Sequence, residues 1–394
     1  MRILLGSLSG QYIHMPLAPW CLKAAVEAAR PEDTVVVAEM NVNEPFEAQL
    51  RHVLSAHADA VGLSVYIWNR DQTARLVRSI KAAFPTLPVA LGGPEVTFCP
   101  EDVLRTIPCD AVLCGAGEES FPAWLDVLEG KRAAEDVAGL CYRAPDGLHV
   151  SPPAPTPAPC LAPYSQDWFA ALHGRMAYAE TSRGCPFSCA FCLSGQREKV
   201  QFMPQDEALA LLIRLGNAGS GIVKLIDRTF NWNAERTRFL LRGLMDAKAR
   251  GDIGTCCYHL EVAADLFDAE TLALLAQAPA GLFQMEAGLQ SFNPNTLDAC
   301  RRHTDMDKLE RNLRALQEMG TIHLHIDLIA GLPKEGMDSF LSSFDRAYAL
   351  RPHMLQLGFL KLIHGSYLRE TAAENDCVFS PDPPYEVLRT RELS

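Results

Sequence analysis

"TSRGCPFSCAFC", residues 181–192, sets three cysteines within eight positions, and that odd number decides how the rest of the chain is read. A structural zinc takes four ligands, usually from two closely spaced pairs. Here Cys185, Cys189 and Cys192 follow a C-x3-C-x2-C spacing, and none of the other cysteines supplies a matching second pair. Thiolates on a turning loop, with Gly184 and Ser188 as small neighbours, can converge on three corners of an iron–sulfur cubane and leave the fourth iron open. An open position is what separates a catalytic metal site from a closed structural one. A zinc completed by a distant residue is the alternative.

Working outward, "MAYAETS" (176–182) precedes the cysteines as a short apolar run. Five more runs follow: "GIVKLID" (221–227), "CCYHLEV" (256–262), "LFQMEAG" (282–288), "IHLHIDLIAG" (322–331) and "MLQLGFLKLI" (354–363). Helix-patterned segments such as "MPQDEALALLIRLGN" separate them. Six strand–helix units are too many for a mononucleotide fold and two short of an eight-stranded barrel, which predicts a partial (β/α)6 TIM-type barrel over 176–370. Chemistry in such parallel architectures gathers at the carboxyl ends of the strands, where the cysteine loop falls. Cys256 and Cys257, adjacent in one strand, point to opposite faces and read as packing residues.

Upstream, "SPPAPTPAPCLAP" (151–163) denies the backbone donors of helix or sheet, so 146–175 reads as a proline-rich linker. Before it, "RILLGSL" (2–8), "TVVVAEM" (34–40), "AVGLSVY" (60–66), "LPVALGG" (87–93) and "DAVLCG" (110–115) alternate with helical patterns. Val/Leu/Ile runs without polar alternation fit strands covered on both faces. Residues 1–145 are therefore expected to form an α/β domain, a doubly wound five-stranded parallel sheet of Rossmann or flavodoxin type. Residues 371–394 form a tail.

Composition narrows the setting. With 36 Lys+Arg against 48 Asp+Glu the formal charge is −12, and no basic cluster tracks a phosphate backbone, so nucleic acid is a poor partner. No apolar run reaches the roughly 18–20 residues of a membrane span, and the start, "MRILLGSLSG", carries no cleavable signal pattern. Thirteen scattered cysteines suggest a reducing compartment, the cytoplasm.

The motif "RGCPFSCAFC" resembles the signature of the radical S-adenosylmethionine (radical SAM) superfamily. That resemblance implies a [4Fe–4S] cluster held by Cys185, Cys189 and Cys192. Its open iron chelates S-adenosylmethionine, whose reductive cleavage yields a 5′-deoxyadenosyl radical. It also implies that Phe191 packs near the adenine. "KLIDRTFNWN" is similar to the second-strand segment of the cobalamin-associated branch, with Asp227 directed at the methionine amino group. Glu261 in "HLEVAAD", and Glu286, Gln290 and Ser291 in "QMEAGLQSFN", suit the ribose hydroxyls and the sulfonium. "HIDLIAGLPKE" resembles the fifth-strand segment, with Ile329, Ala330 and Gly331 against adenine.

In the first domain, strand ends carry "GSLSG" (Ser7, Leu8), "LSVYIWN" (Ser64, Tyr66, Trp68), "LGGPEV" (Gly92, Gly93, Glu95) and "CGAGEESF" (Gly115, Gly117, Glu118). Glycines at the carboxyl edge let backbone approach a flat ligand, the aromatics offer apolar surface, and a helix starting at Glu118 presents free N–H groups. Simple turn chemistry is the alternative for the glycines. Ahead of a radical SAM barrel the arrangement is similar to a cobalamin-binding domain. The Asp-x-His-x2-Gly element that supplies a lower ligand elsewhere is absent, and His14 reads as a hydrogen-bonding loop residue. The resemblance covers about residues 1–365. Relatives usually continue into a helical C-terminal domain, which would be starting where this sequence stops.

The resemblance implies a cobalamin-dependent radical enzyme, a methyltransferase acting on an unactivated carbon of a small molecule or peptide. A flavodoxin- or ferredoxin-like electron donor would supply it, and no nucleic acid or membrane partner is expected. Radical cyclisation or rearrangement with the same cofactors is one alternative. A non-catalytic iron–sulfur electron carrier or redox sensor is another, and it would call for a fourth cysteine.

Overall fold

A computed structural model describes residues 1–195 and 199–393. The chain divides into two compact units, Met1–Pro157 with Leu161–Arg175, and Ala158–Cys160 with Met176–Ser394.

In the first unit five parallel strands, β1 (Arg2–Ser9), β2 (Thr34–Asn41), β3 (Ala60–Ser64), β4 (Val89–Gly92) and β5 (Ala111–Leu113), run in the order β2-β1-β3-β4-β5. That order is the flavodoxin-like doubly wound arrangement. The apolar runs lack polar alternation because both faces are covered. Leu4, Val61 and Leu91 pack into one core with Leu76 and Ile80, whereas Ile3, Leu5 and Ala90 pack into the other with Phe121 and Trp124.

The sheet exceeds the expected five strands. β6 (Leu140–Ala144) and β7 (Gly147–His149) add an antiparallel hairpin to the β5 edge. Its turn signal, Pro145-Asp146-Gly147, was legible, but it straddles the start of the stretch read as linker. That stretch also holds the helix Gln166–Ala171, capped by Ser165, whose Trp168 is buried against Tyr164. Residues 146–175 are thus largely built onto the first unit, because a buried indole and a paired edge strand fix a segment that proline alone would leave extended.

The second unit holds six parallel strands, β8 (Ala177–Ala179), β11 (Ile222–Leu225), β12 (Cys257–Val262), β13 (Phe283–Gln290), β14 (His323–Ala330) and β15 (Met354–Phe359), in the order β15-β14-β13-β12-β11-β8. A short antiparallel pair, β9 (Ser182–Arg183) with β10 (Gln201–Phe202), brackets the cysteine loop. Along β13 buried and half-buried residues alternate strictly. Phe283, Met285, Ala287 and Leu289 are buried, and Gln284, Glu286, Gly288 and Gln290 line the opposite face. Sequential parallel strands with helical crossovers give the partial-barrel topology, with the strand ends at one rim. No helix among the described residues is long and apolar enough to cross a membrane.

Candidate active site

The cysteine loop leaves β9 at the carboxyl rim, and a buried carboxylate fixes its root. Asp227, just past β11, accepts hydrogen bonds from Thr181 N (2.7 Å) and Thr181 Oγ1 (2.5 Å), and Ser182 also donates to it. Burial pushes this carboxyl up, against those hydrogen bonds. The sequence expectation aimed Asp227 at a ligand ammonium. Here it is buried and occupied, so its geometry makes it a positioning group for the strand that launches the loop.

Loop closure depends on Gly195. A Cβ built there would lie 1.5 Å from the Phe187 carbonyl oxygen and 3.2 Å from that of Cys185, so only glycine lets the two limbs approach. The three thiols are free of disulfides and receive donors suited to thiolates. Ser194 N donates to Cys192 Sγ (3.4 Å), Cys185 Sγ lies 3.4 Å from Thr229 Oγ1, and Arg302 Nη1 donates to Cys189 Sγ (3.5 Å). Burial pushes the Cys189 thiol up, Arg302 pulls it down, and Cys185 and Cys192 are near enough to add repulsion. Three mutually repelling thiols with N–H donors at two sulfurs fit a cubane with one open iron.

Tertiary folding brings one more cysteine close, Cys300, whose carbonyl accepts from Ala190 N (2.8 Å). Its side chain is fully buried among Leu332, Leu360 and Leu368, and burial pushes the thiol up to about 12. Its apolar surroundings suit a packing residue rather than a fourth ligand. Arg302 had no local sequence signal. It reaches both the Cys189 sulfur and the Gly288 carbonyl from beyond the helix Pro294–Ala299, a proximity that only the fold creates.

The other second-unit residues divide into three groups. Phe191 and Ile329 are half-buried around the same apolar cluster as Leu360, with Gly331 (φ +89°) beside Leu360 and Ala330 at the end of β14. Glu261 and Gln290 stand on half-buried positions at strand ends. Burial pushes Glu261 up while Arg228 (3.9 Å) opposes it. Gln290 adopts φ +71° at a register shift after Gly288, and its amide oxygen is buried without a partner among the described residues. A strained non-glycine residue with an unmet acceptor is a reason to look for a ligand.

Two expectations meet a different environment. Ser291 is fully buried and donates to Glu335 Oε1 (2.5 Å) while accepting from Asn293 N, so its hydroxyl is spent inside the protein. Glu286 is held by His259 Nε2 (2.6 Å) and Lys224 Nζ (3.5 Å), and the hydrogen bond from His259 keeps its carboxyl down at about 2.

At the carboxyl edge of the first unit, Tyr66 and Trp68 stack face to face with centroids 4.5 Å apart and planes 4° apart, Trp68 being 53% exposed. Trp68 Nε1 and Asn69 Nδ2 both donate to the Leu8 carbonyl, which pins this aromatic plate to β1. Ser7 and Ser64 are buried, and Glu95 is buried against Arg70 (2.9 Å). Three of the four glycines are crowded by their neighbours. A Cβ on Gly93 (φ +109°) would meet the Val65 carbonyl oxygen at 2.5 Å, on Gly115 that of Ala154 at 2.5 Å, and on Gly117 the Leu22 side chain at 2.7 Å. At Gly92 the nearest atom would be Leu113 O at 3.6 Å. The helix behind this edge starts at Gly117, with Glu118 in its first turn.

Two family models match the two units in order: the B12 binding domain over residues 3–125 and the radical SAM superfamily over 179–347. The chain therefore carries a B12-binding domain followed by a radical SAM domain. It is 24% identical over 345 residues to the anaerobic magnesium-protoporphyrin IX monomethyl ester cyclase of Rubrivivax gelatinosus, covering 81% of this chain and 60% of that protein. It is 26% identical over 329 residues to the 2-(S-pantetheinyl)-carbapenam-3-carboxylate methyltransferase of Streptantibioticus cattleyicolor, covering 72% and 44%. The chain thus spans less than two thirds of the length of these curated relatives. Its fold matches the radical S-adenosylmethionine methyltransferase TsrM of Kitasatospora setae with a TM-score of 0.75 at 17% identity, over 96% of this chain and 76% of that one.

Proposed function

We propose that this chain is a cobalamin-dependent radical SAM enzyme whose reaction is methyl transfer to an unactivated carbon. One observation carries the reading: three cysteines share one rim loop, while the side chain of Cys300, whose carbonyl meets that loop, lies in an apolar cluster. That arrangement suits an open iron and disfavours a non-catalytic carrier. When bound, the cluster supplies reductive cleavage of S-adenosylmethionine, and cobalamin carries the methyl group.

Cys185, Cys189 and Cys192 hold the iron, and Arg302 neutralises part of the charge on Cys189. Phe191, Ile329, Ala330 and Gly331 provide an apolar bed for adenine, and Glu261 and Gln290 offer polar groups at the strand ends. Tyr66 and Trp68 give a planar apolar surface for a corrin. An external one-electron reductant is required, of flavodoxin or ferredoxin type, and cysteines that form no disulfide suit a reducing cytoplasm. Cyclisation is the second reading, favoured by the cyclase name of the relative matched over 345 residues.

The test is anaerobic purification with cobalamin supplied, followed by incubation with S-adenosylmethionine and a strong reductant. The expected products are 5′-deoxyadenosine and, if methyl transfer is the reaction, S-adenosylhomocysteine. Both should vanish when any of the three cysteines is replaced by alanine. An intact cluster that leaves S-adenosylmethionine uncleaved would sink the enzymatic reading, and deoxyadenosine without demethylated cofactor would favour the cyclase.

A further inference from the structure

On the half-buried face of β13 and β14, one ligand atom from each of Glu286, His325 and Asp327 lies within 4.8 Å of the others. The strand register creates this meeting. Glu286 and His325 are direct partners across the parallel pair, and Asp327, two residues further along β14, shares the face of His325. His325 is only 5% exposed. Its Nε2 pairs with Asp327 Oδ1 at 3.1 Å as a buried ion pair. The other ring nitrogen, Nδ1, is buried without a hydrogen-bond partner among the described residues. Buried polar atoms are normally satisfied. One buried imidazole crowded by two carboxylates, with ligand atoms all within 4.8 Å of one another, is the donor set of a cation site.

We propose that Glu286, His325 and Asp327 form a mononuclear site for a divalent first-row metal ion, separate from the cysteine loop. One imidazole nitrogen with two carboxylate oxygens suits Mn²⁺, Fe²⁺ or Zn²⁺ better than Ca²⁺ or Mg²⁺, which favour oxygen alone. An outer partner is already in place, because His259 Nε2 lies 2.6 Å from Glu286 Oε2 and fixes that carboxylate. Lys224 Nζ, 3.5 Å from the same oxygen, competes with the metal, and its side chain is partly exposed and able to swing away. Three protein donors leave coordination positions open for water or for an oxygen of a bound small molecule, on the face of β14 that also carries Ile329. The site stands independently of the function proposed above.

The probe is Mn²⁺, which prefers oxygen and nitrogen over the thiolates of the loop. Full-length, cluster-loaded protein is titrated anaerobically, and free Mn²⁺ is followed by its electron paramagnetic resonance signal. One saturable Mn²⁺ per chain is expected, and it should persist when all three loop cysteines are alanine. Asp327→Asn and His325→Gln should weaken it at least about ten-fold, whereas Lys224→Met, which removes the competing cation, should tighten it. Circular dichroism and iron content check each variant, and the opposite sign expected for Lys224→Met is one that misfolding does not imitate. Absence of saturable uptake by the wild-type chain would show that His325 and Asp327 form a bare ion pair, and the proposal would fall. Equal affinity in folded Asp327→Asn and wild type would overturn it as well.

Discussion

Replacing Gly195 with alanine should empty the cysteine loop of iron while leaving the rest of the molecule folded. The new methyl would start 1.5 Å from Phe187 O and 2.7 Å from Phe187 C, and no rotamer relieves a Cβ fixed by backbone. Non-bonded carbon–oxygen contacts below about 3 Å are strongly repulsive, so the limbs carrying Cys185 and Gly195 must part by at least about 1.5 Å. A metal–thiolate bond is about 2.3 Å long, and ligand distances tolerate only about 0.2 Å of error. The forced displacement exceeds that tolerance several-fold, so three-point attachment is lost. The clash lies within one rim loop, so the cost to global stability should stay within the roughly 1–3 kcal/mol of ordinary overpacking. Iron and sulfide per chain, with the thermal midpoint, read the two effects separately. Gly221→Ala, where a Cβ meets nothing within 4 Å, serves as the tolerated control. Full iron occupancy in Gly195→Ala with an unchanged midpoint would refute the reasoning.

Three further outcomes are expected. Arg302→Met removes the N–H donor from Cys189 Sγ and should lower the reduction potential of the loaded cluster by an amount on the order of tens of millivolts, since hydrogen bonds to sulfur raise it; a redox titration showing no shift would argue against the contact. In the first unit, side-chain hydrogen bonds from Lys131 and Arg30 hold Glu129 at about 2 against an ordinary 4.5. Its contribution is therefore complete above about pH 4.5 and lost as pH falls toward 2. Melting curves of Glu129→Gln and wild type should differ at neutral pH and converge over that window. The double variant Tyr66→Ala/Trp68→Ala removes the stacked plate and should reduce corrinoid content while iron content holds; undiminished corrinoid would mean the plate is not the binding face.

Much of this protein was legible in its sequence because the deciding signals are local. Unbroken apolar runs mark strands covered on both faces, and three thiols at fixed spacing mark a candidate iron–sulfur site. The hairpin β6–β7 was missed although its turn residues were visible, since a turn does not say whether its flanks pair with an existing sheet. Asp227, Ser291 and Glu286 were recognised as polar groups at strand ends, but spacing does not reveal where a carboxylate or hydroxyl finds its partner.

Those partners are set by contacts between residues far apart in the chain. Thr181 claims Asp227 from 46 positions away, Glu335 claims Ser291 from 44, and Arg302 reaches the Cys189 sulfur across 113. Composition and periodicity thus determined the two-unit architecture and the three thiols. Strand register and loop closure alone decided which polar groups are spent inside the protein and which polar atoms, like His325 Nδ1 and Gln290 Oε1, remain without a partner among the described residues, because hydrogen bonding is satisfied by proximity in space rather than order in sequence.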